Sequence, residues 1–312
     1  MKMSATDRDS ADWANRPERS NMLMLRIMSW ISLRLGRPIG RIVLHLIAAY
    51  FALFAPASRK ASRAYLSRVL ARPARWTDIY RHFFRFAAIV HDRVYLLNER
   101  FDLFDIETHG LAELNAASSN GKGVVLIGAH MGSFEAVRAL GRQQPGSPVA
   151  MAMYEENARK INQALAAINP SAIQGIIALG KMDSMLLVRE YLEKGTLVGM
   201  LADRTLGGDG MRSLPFLGDT AHFARGPFRV AAIMRRPVFF MTGLYLGGNR
   251  YAIHFEKLAD FSQAGTGQRE AAIDEAMARY VEMLERYCRT EPYNWFNFFD
   301  FWQDGSPADE EK

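Results

Sequence analysis

The fold is decided by residues 123–135, which read GVVLIGAHMGSFE. Residues 123–128 form a short apolar run with several β-branched side chains, which predicts a buried strand. A helical pattern begins at Phe134, and Ser133 is placed to cap it, because a serine hydroxyl can accept a backbone N–H of the first turn. His130 therefore stands where a strand gives way to a helix.

Glu135 follows His130 with four residues between them. On one continuous helix the two side chains would point ~140° apart and could not meet. With His130 in the turn and Glu135 on the helix, the carboxylate can fold back onto one ring nitrogen, which leaves the other nitrogen free to take a proton from a hydroxyl. The pattern predicts a general base with an acidic partner. The alternative is a histidine that caps a strand end and an unrelated surface glutamate.

From about residue 103 onward, strand-like runs alternate with helical runs. Strands are predicted at 104–109, 123–128, 149–153, 172–178, 196–201, 238–244 and 251–255, and helices at 132–142, 157–168, 182–194, 224–235 and 267–290. The alternation predicts an α/β fold with a mainly parallel sheet flanked by helices. The last two strands, joined by Gly247-Gly248-Asn249, should form an antiparallel hairpin. Functional loops in such sheets follow the carboxyl ends of strands, where His130 and Asp203 stand.

Residues 21–100 are predicted to be a helical, membrane-associating region. Two apolar helical runs, 21–35 and 39–55, are separated by Gly36-Arg37-Pro38, and two more helices follow over 58–98. The uncharged part of the second run is about 15–17 residues long, at or below the ~20 needed to span a bilayer. Basic residues flank it on both sides, which favours a helix in the plane of an anionic membrane. Two core helices of a soluble domain are the alternative.

Composition narrows the class of protein further. The chain has 312 residues, 49% of them hydrophobic and 23% charged, which is typical of a globular protein. The net charge is +6, and the basic excess lies early in the chain, beside the apolar helices. This placement favours a membrane surface as the partner and argues against nucleic acid. The first 20 residues and residues 304–312 are predicted to be disordered, on either side of the helical region and an α/β domain over 101–303.

Several kinds of site are excluded or disfavoured. Cys288 is the only cysteine, so an intrachain disulfide and a cysteine zinc site are impossible. There is no Walker loop, no Rossmann glycine fingerprint after the first strand and no Gly-x-Ser-x-Gly elbow. These absences argue against nucleotide-dependent enzymes and serine hydrolases.

Three further features could contact substrate. Asp203 and Arg204 end a predicted strand and can hold a polar head group or shape an oxyanion site; a local ion pair is the alternative. Arg225 precedes a helix that begins at Gly226-Pro227, and a helix N-terminus beside a cation suits an anion; ordinary capping is the alternative. Residues 293–302 include seven aromatic side chains, which could close an acyl pocket, touch the membrane interface or strap the core.

Taken in order along the chain, these features resemble the lipid A biosynthesis acyltransferase family, whose members are also called lauroyl or myristoyl acyltransferases. The likeness covers roughly residues 20–302. It rests on the basic apolar N-terminus and then on Ala129-His130 with Glu135, Ala202-Asp203-Arg204, Pro215-Phe216-Leu217-Gly218, Ala224-Arg225-Gly226-Pro227, Arg236-Pro237-Val238 and Glu291-Pro292-Tyr293-Asn294-Trp295.

The resemblance implies an enzyme of the bacterial inner membrane, on its cytoplasmic face. Such an enzyme moves an acyl chain from acyl carrier protein to a hydroxyl of a lipid A precursor, with no metal or bound cofactor. The resemblance also implies His130 as general base, Glu135 as its acidic partner and Asp203 as an acidic position of a second motif. Arg159 is the candidate for an arginine that the family carries between these motifs.

The predicted mechanism has His130 take the proton of the acceptor hydroxyl while Glu135 stabilises the imidazolium. Backbone amides at the helix start, with Arg204, would hold the oxyanion. After Trp295 the chain departs from the family pattern, which carries a basic or histidine residue there. The acceptor therefore stays open between a lipid A precursor and another lipid, such as a polyene-type glycolipid.

Two other interpretations stay open. A glycerolipid acyltransferase would use the same base on a glycerol hydroxyl, but that family usually has Asn before the histidine and Asp as the acid, where this chain has Ala129 and Glu135. In a non-enzymatic peripheral membrane protein, His130 and Glu135 would be incidental.

Overall fold

The computed structural model describes residues 19–119, 121–143, 148–154, 158, 168–169, 175–180, 183–204, 210–262 and 265–302. Most of the predicted helix over 157–168, the start of the strand predicted at 172–178, most of the predicted N-terminal tail and all of the predicted tail over 304–312 lie outside these residues. The described helices are α1 (Arg19–Phe54), α2 (Pro56–Val69), α3 (Trp76–Leu97), α4 (Leu111–Ala117), α5 (Phe134–Gln143), α6 (Ser184–Glu193), α7 (Gly226–Met234) and α8 (Arg269–Thr290). The described strands are β1 (Asp105–His109), β2 (Val125–Gly128), β3 (Val149–Tyr154), β4 (Ile176–Leu179), β5 (Leu197–Leu201), β6 (Met211–Phe216), β7 (Asp219–Ala224), β8 (Pro237–Gly247) and β9 (Arg250–Asp260).

The fold is α/β, as predicted. Seven of the described strands form one sheet in the order β1-β9-β8-β2-β5-β3-β4. All neighbouring strands are parallel except β8 and β9, which form the antiparallel hairpin expected around Gly247-Gly248-Asn249. Strand β2 lies near the middle of this sheet, between β8 and β5. The loops that follow β2 and β5 therefore meet at one edge of the sheet.

Strand β2 is buried on both faces, which explains its continuous apolar sequence. Val125 and Ile127 belong to the core layer under α8, while Leu126 packs in the layer with α5. Burying such an aliphatic side chain contributes about 1.5–3 kcal/mol. The hydroxyl of Tyr280 on α8 also donates to the carbonyl oxygen of Gly128 at 3.0 Å, so the helix is fixed against the end of the strand that leads to His130.

The two predicted N-terminal runs are joined in α1, with a break at Gly36. This glycine has φ 81° and ψ 168°, a backbone conformation outside the helical region. Beyond the break, Leu44, Ala48 and Ala52 are buried, and α1 packs mainly on α3. The segment Ser32–Phe54 is long and apolar enough to cross a membrane by length and composition alone.

The antiparallel hairpin of β6 and β7 was not predicted, and neither was the short helix α4. The hairpin turn is formed by Leu217 and Gly218, with φ of 52° and 85°. Turns of this kind usually carry Asn or Asp at the first position, because these residues tolerate a positive φ better than leucine does. Pro215 within β6 also reads as a strand breaker. The local sequence therefore lacks the usual signals of a hairpin.

Candidate active site

The turn after β2 is held by backbone hydrogen bonds to two other segments. The N–H of Gly132 donates to the carbonyl of Asn294 at 2.8 Å, and the N–H of Ser133 donates to the carbonyl of Gly243 at 2.7 Å. Gly132 has φ 64°, and a Cβ atom there would lie 2.1 Å from the carbonyl oxygen of Gly243. Only glycine fits such a site, so the backbone that presents His130 has one fixed path.

The start of α5 follows the predicted pattern only in part. The hydroxyl of Ser133 accepts the N–H of Ala136 at 3.2 Å, as expected for a cap. The amides of Gly132, Ser133 and Ala136 all have acceptors within the protein. These three amides therefore do not form the oxyanion site that the sequence predicted at this helix start.

The carboxylate on the imidazole of His130 belongs to Asp203. Its Oδ1 lies 2.8 Å from Nδ1 of His130, and both of its oxygens lie 3.0 Å from the backbone nitrogen of the same residue. The contact follows from the sheet, because β2 and β5 are parallel neighbours with Gly128 paired to Leu201. His130 and Asp203 each stand two residues beyond that pair. Asp203 is fully buried, whereas the side chain of His130 is 32% exposed.

Glu135 does not fold back onto His130, and that expectation is wrong. Its carboxylate is 5% exposed and lies 3.3 Å from a guanidinium nitrogen of Arg138 and 3.6 Å from Nε of Arg93. Helix α5 begins at Phe134, so Glu135 is already in the first helical turn and pairs with α3 and with its own helix. Whether Glu135 takes part in the reaction stays a prediction.

Two residues of the C-terminal segment complete the surroundings of Asp203. The indole N–H of Trp295 donates to Oδ2 at 3.0 Å, and the side-chain amide of Asn297 donates to the same oxygen at 2.9 Å. Both side chains are buried. The N–H of Phe296 between them donates to the carbonyl of His130 at 2.8 Å. The aromatic segment therefore fixes both members of the His130–Asp203 pair.

The sequence did not single out Trp295 and Asn297 as site residues. The available signal was the presence of polar asparagines within a strongly aromatic segment. Asparagine side chains that are buried among aromatic rings need hydrogen-bond partners in the protein. Asn297 finds its partners at the site itself, because its amide group contacts Asp203 and its carbonyl oxygen contacts Arg204.

The charges in the site favour an ionised Asp203 and a neutral His130. Burial alone would raise the pKa of Asp203, but the nearby His130, Arg204 and Asn297 lower this pKa below its usual value. Burial and the positive charge of Arg204 lower the pKa of His130, and Asp203 only partly opposes them. An ionised carboxylate is purely an acceptor, so Nδ1 of the imidazole must carry the proton. Nε2 of the neutral ring then has a free lone pair.

Arg204 forms the cationic side of the site. Its Nε donates to the side-chain oxygen of Asn297 at 2.6 Å, and its Nη2 donates to the carbonyl of Phe296 at 2.8 Å. Its guanidinium carbon lies 5.4 Å from the ring centre of Phe299. Burial lowers the pKa of Arg204 to about 10, which leaves the guanidinium charged at neutral pH.

A family model for bacterial lipid A biosynthesis acyltransferases matches residues 17–304, which include the whole site described above. The chain belongs to this family. A comparison with curated proteins found no match. Family membership makes the protein an acyltransferase and supports a lipid A-like acceptor.

Arg225 and Arg159 were also predicted to bind the substrate of this acyltransferase. Arg225 precedes α7 as expected, but its Nη2 lies 2.9 Å from a carboxylate oxygen of Glu270 and 2.7 Å from one of Asp274, both on α8. Its charge is therefore already paired, and a role in anion binding stays a prediction. Arg159 lies outside the described residues.

Proposed function

We propose that this acyltransferase moves a fatty acyl chain from the thioester of acyl carrier protein to a hydroxyl of a lipid A precursor or a related glycolipid at a membrane surface. The observation that carries the proposal is the state of His130. Its Nδ1 is bonded to a buried, ionised carboxylate, and its ring is partly exposed. A neutral imidazole held in this way can accept a proton at Nε2.

The reaction needs a base because an alcohol is a weak nucleophile. As the acceptor oxygen bonds to the thioester carbonyl carbon, its proton moves to Nε2 of His130. The carbonyl oxygen takes up negative charge in the tetrahedral intermediate. When the intermediate collapses, the C–S bond breaks, and the imidazolium returns the proton to the departing thiolate. The products are an ester and the free thiol of the carrier, and His130 is neutral again.

Asp203 takes the role that the sequence gave to Glu135. It holds the tautomer of His130 and stabilises the imidazolium formed during the reaction. Trp295 and Asn297 each donate a hydrogen bond to Oδ2, which leaves Oδ1 directed at the ring. Because these donors stabilise the carboxylate anion, the proton that His130 gains stays on the imidazole and does not pass to Asp203.

Arg204 is proposed to stabilise the oxyanion. Its charge lies close enough to His130 to lower the pKa of the imidazole, and its bonds to Asn297 and Phe296 fix the orientation of the guanidinium. A cation that is already oriented in a water-poor site stabilises developing charge without reorganisation. Arg204 would supply the stabilisation that the amides of Gly132, Ser133 and Ala136 do not, because each of those three already has an acceptor.

Acyl carrier protein is proposed as the donor, and the cytoplasmic face of the bacterial inner membrane as the location. Both come from family membership together with the charge of the N-terminal region. Helix α2 carries Arg59, Lys60, Arg63 and Arg68 and no acidic residue. A basic helix attracts acidic partners, such as a carrier protein, and anionic lipid headgroups.

The test is acyl transfer by purified protein from labelled acyl carrier protein to a panel of acceptors: a lipid A precursor, lysophosphatidate and a total lipid extract. His130→Ala is compared with His109→Ala, which removes a half-exposed histidine on the edge strand β1. Wild-type protein should transfer label to the lipid A precursor. The rate of this transfer should fall at least tenfold in His130→Ala and should stay at the wild-type value in His109→Ala.

Other outcomes would change the proposal in defined ways. Transfer of label only to another lipid would support acyl transfer as the reaction and exclude the lipid A precursor as the acceptor. Unchanged transfer by His130→Ala would reject the base. If wild-type protein neither transferred label nor hydrolysed the thioester, acyl carrier protein would be rejected as the donor.

A further inference from the structure

Helix α1 carries a stripe of large apolar side chains that face away from the protein. After the break at Gly36, the stripe consists of Ile39, Ile42, Leu46, Tyr50 and Leu53. Their exposed fractions range from 44% at Ile39 to 71% at Leu46. Their spacing of three and four residues places them within an arc of about 80° on the helix, over about 21 Å. We call these five residues the α1 stripe.

The opposite side of the same helix forms the contact with the protein. Leu44, Ala48 and Ala52 are buried, and they lie about 180° around the helix from the α1 stripe. The helix is thus apolar on both sides, but only one side is packed against the described chain. Soluble monomers rarely expose a continuous apolar surface of this length, which indicates that another phase or molecule covers the α1 stripe.

Charged contacts fix α1 to the body of the protein. Nε and Nη2 of Arg37 lie 2.8 and 2.9 Å from the two carboxylate oxygens of Asp92 on α3, and Nη1 of Arg41 lies 3.7 Å from the same carboxylate. Asp92 is fully buried and also accepts the hydroxyl of Tyr251 at 3.0 Å. If α1 spanned the bilayer, it would have to separate from α3. Asp92 would then be buried without its cationic partners, and Arg37 and Arg41 would enter the hydrocarbon region.

The charge near the end of the α1 stripe suits anionic lipid. Helix α2 begins two residues after α1 ends, and its exposed side includes Lys60 and Arg63. Tyr50 within the stripe has the amphipathic ring that is favoured at membrane interfaces. Apolar side chains beside basic ones are the pattern of a helix that lies in the headgroup region of an anionic leaflet.

We propose that α1 lies in the plane of an anionic leaflet with the α1 stripe immersed, and that it does not cross the bilayer although it is long and apolar enough to do so. The proposal rests on the membrane-surface function proposed above and adds the surface that makes the contact. Its test requires no acyl transfer, so failure of the catalytic proposal and failure of this one are distinguishable.

The first experiment measures partition of the full chain onto vesicles of phosphatidylcholine with 30% phosphatidylglycerol, and onto phosphatidylcholine alone. The variant Ile42→Glu/Leu46→Glu is compared with Leu186→Glu/Ile233→Glu, which changes apolar side chains of similar exposure on α6 and α7. Thermal melting must show that both variants are folded. Partition of the stripe variant should fall at least tenfold, while the control should bind like wild type. Equal partition of all three proteins would overturn the proposal.

The second experiment separates an in-plane helix from a spanning one. Cysteine is introduced at Trp30 or at Ala57, exposed positions on either side of the segment Ser32–Phe54, and Cys288 stays because it is buried. After the protein binds sealed vesicles, an impermeant maleimide is added outside. Both positions should be labelled without detergent. Protection of either position until detergent is added would show a spanning helix. A different result would assign the α1 stripe to a contact with a second copy of the chain: the variant Ile42→Glu/Leu46→Glu would lose dimers that the wild type forms and would still bind vesicles.

Discussion

Replacing Asp203 by asparagine should disable His130 while keeping the shape of the site. The substitution turns one carboxylate oxygen into an NH2 group. In the wild-type protein, Oδ1 of Asp203 accepts a hydrogen bond from the ring of His130, and Oδ2 accepts one each from Trp295 and Asn297. In either orientation of the new amide, its NH2 group faces at least one of these donors, so a buried donor loses its acceptor.

The structure predicts that Asp203→Asn lowers both the catalytic rate and the stability of the fold. If the NH2 group faces Nδ1, the ring must accept there and carry its proton on Nε2, where it can no longer take one from a hydroxyl. The same change behind the catalytic histidine of serine proteases lowers kcat about 10⁴-fold, and a general base contributes about 10²–10⁴-fold. We expect kcat to fall about 10²–10⁴-fold. The buried donor that loses its acceptor also costs about 1–3 kcal/mol of unfolding free energy.

The loss of stability should depend on pH with a defined sign. The pKa of Asp203 is lower in the folded protein than its ordinary value. Its charge therefore stabilises the fold above the unfolded pKa, and this stabilisation is lost as the pH falls through the folded pKa. The difference in unfolding free energy between wild type and Asp203→Asn should be largest near neutral pH and should shrink below about pH 4.

The assay is steady-state acyl transfer at a temperature where circular dichroism shows the variant to be folded. Glu135→Gln is the control, because this second buried carboxylate contacts Arg93 and Arg138 and not the imidazole. It should lose about 1.5–3 kcal/mol of stability and keep the pH midpoint of wild-type kcat/KM. If Asp203→Asn kept more than a tenth of kcat, or if Glu135→Gln alone moved the midpoint, the assignment of Asp203 would be refuted.

Three further predictions concern the same site. In a pH-rate profile, kcat/KM should rise with pH and then level off, with a midpoint below pH 6.5. The reason is that the pKa of His130 is lowered from 6.5 and only the neutral ring is a base. A midpoint above pH 6.5 would contradict the proposed neutral state of the ring. Gly132→Ala should lose at least about 1–3 kcal/mol of unfolding free energy, measured by chemical denaturation, because the new Cβ would collide with the carbonyl oxygen of Gly243. Gly265→Ala is the control: the space around Gly265 is open, so this variant should lose less than about 1 kcal/mol. Trp295→Phe removes one charge-assisted hydrogen bond to the carboxylate, worth about 1.5–3 kcal/mol, and should lower kcat about tenfold or more at an unchanged KM.

The sequence predicted the local path of the chain at the site better than the contacts across it. The buried strand, the turn at His130 and the cap at Ser133 all follow from short-range signals, and the structure has them. The partner of His130 does not follow from such signals. Glu135 is close along the chain, but Asp203 is close in space, because β5 lies directly beside β2 in the sheet. The order of strands in a parallel sheet cannot be read from the pattern of one chain.

The contribution of the C-terminal segment was hidden for a related reason. Its aromatic residues predicted burial, and Trp295 is fully buried. Nothing in their spacing showed that the indole N–H of Trp295 and the amide of Asn297 would converge on the same carboxylate oxygen. That convergence depends on the backbone contacts of Asn294 and Phe296 with the turn around His130, which are long-range in sequence.

The tautomer of His130 tests the central claim most directly. In protein labelled with ¹⁵N at histidine, the ring signals of His130 are identified by their loss in His130→Ala, and their chemical shifts report which nitrogen carries the proton. At neutral pH the wild-type ring should be neutral, with the proton on Nδ1 and a lone pair on Nε2, and Asp203→Asn should disturb this state. A ring with its proton on Nε2, or one charged at neutral pH, would contradict the account, because neither could take a proton from the acceptor hydroxyl.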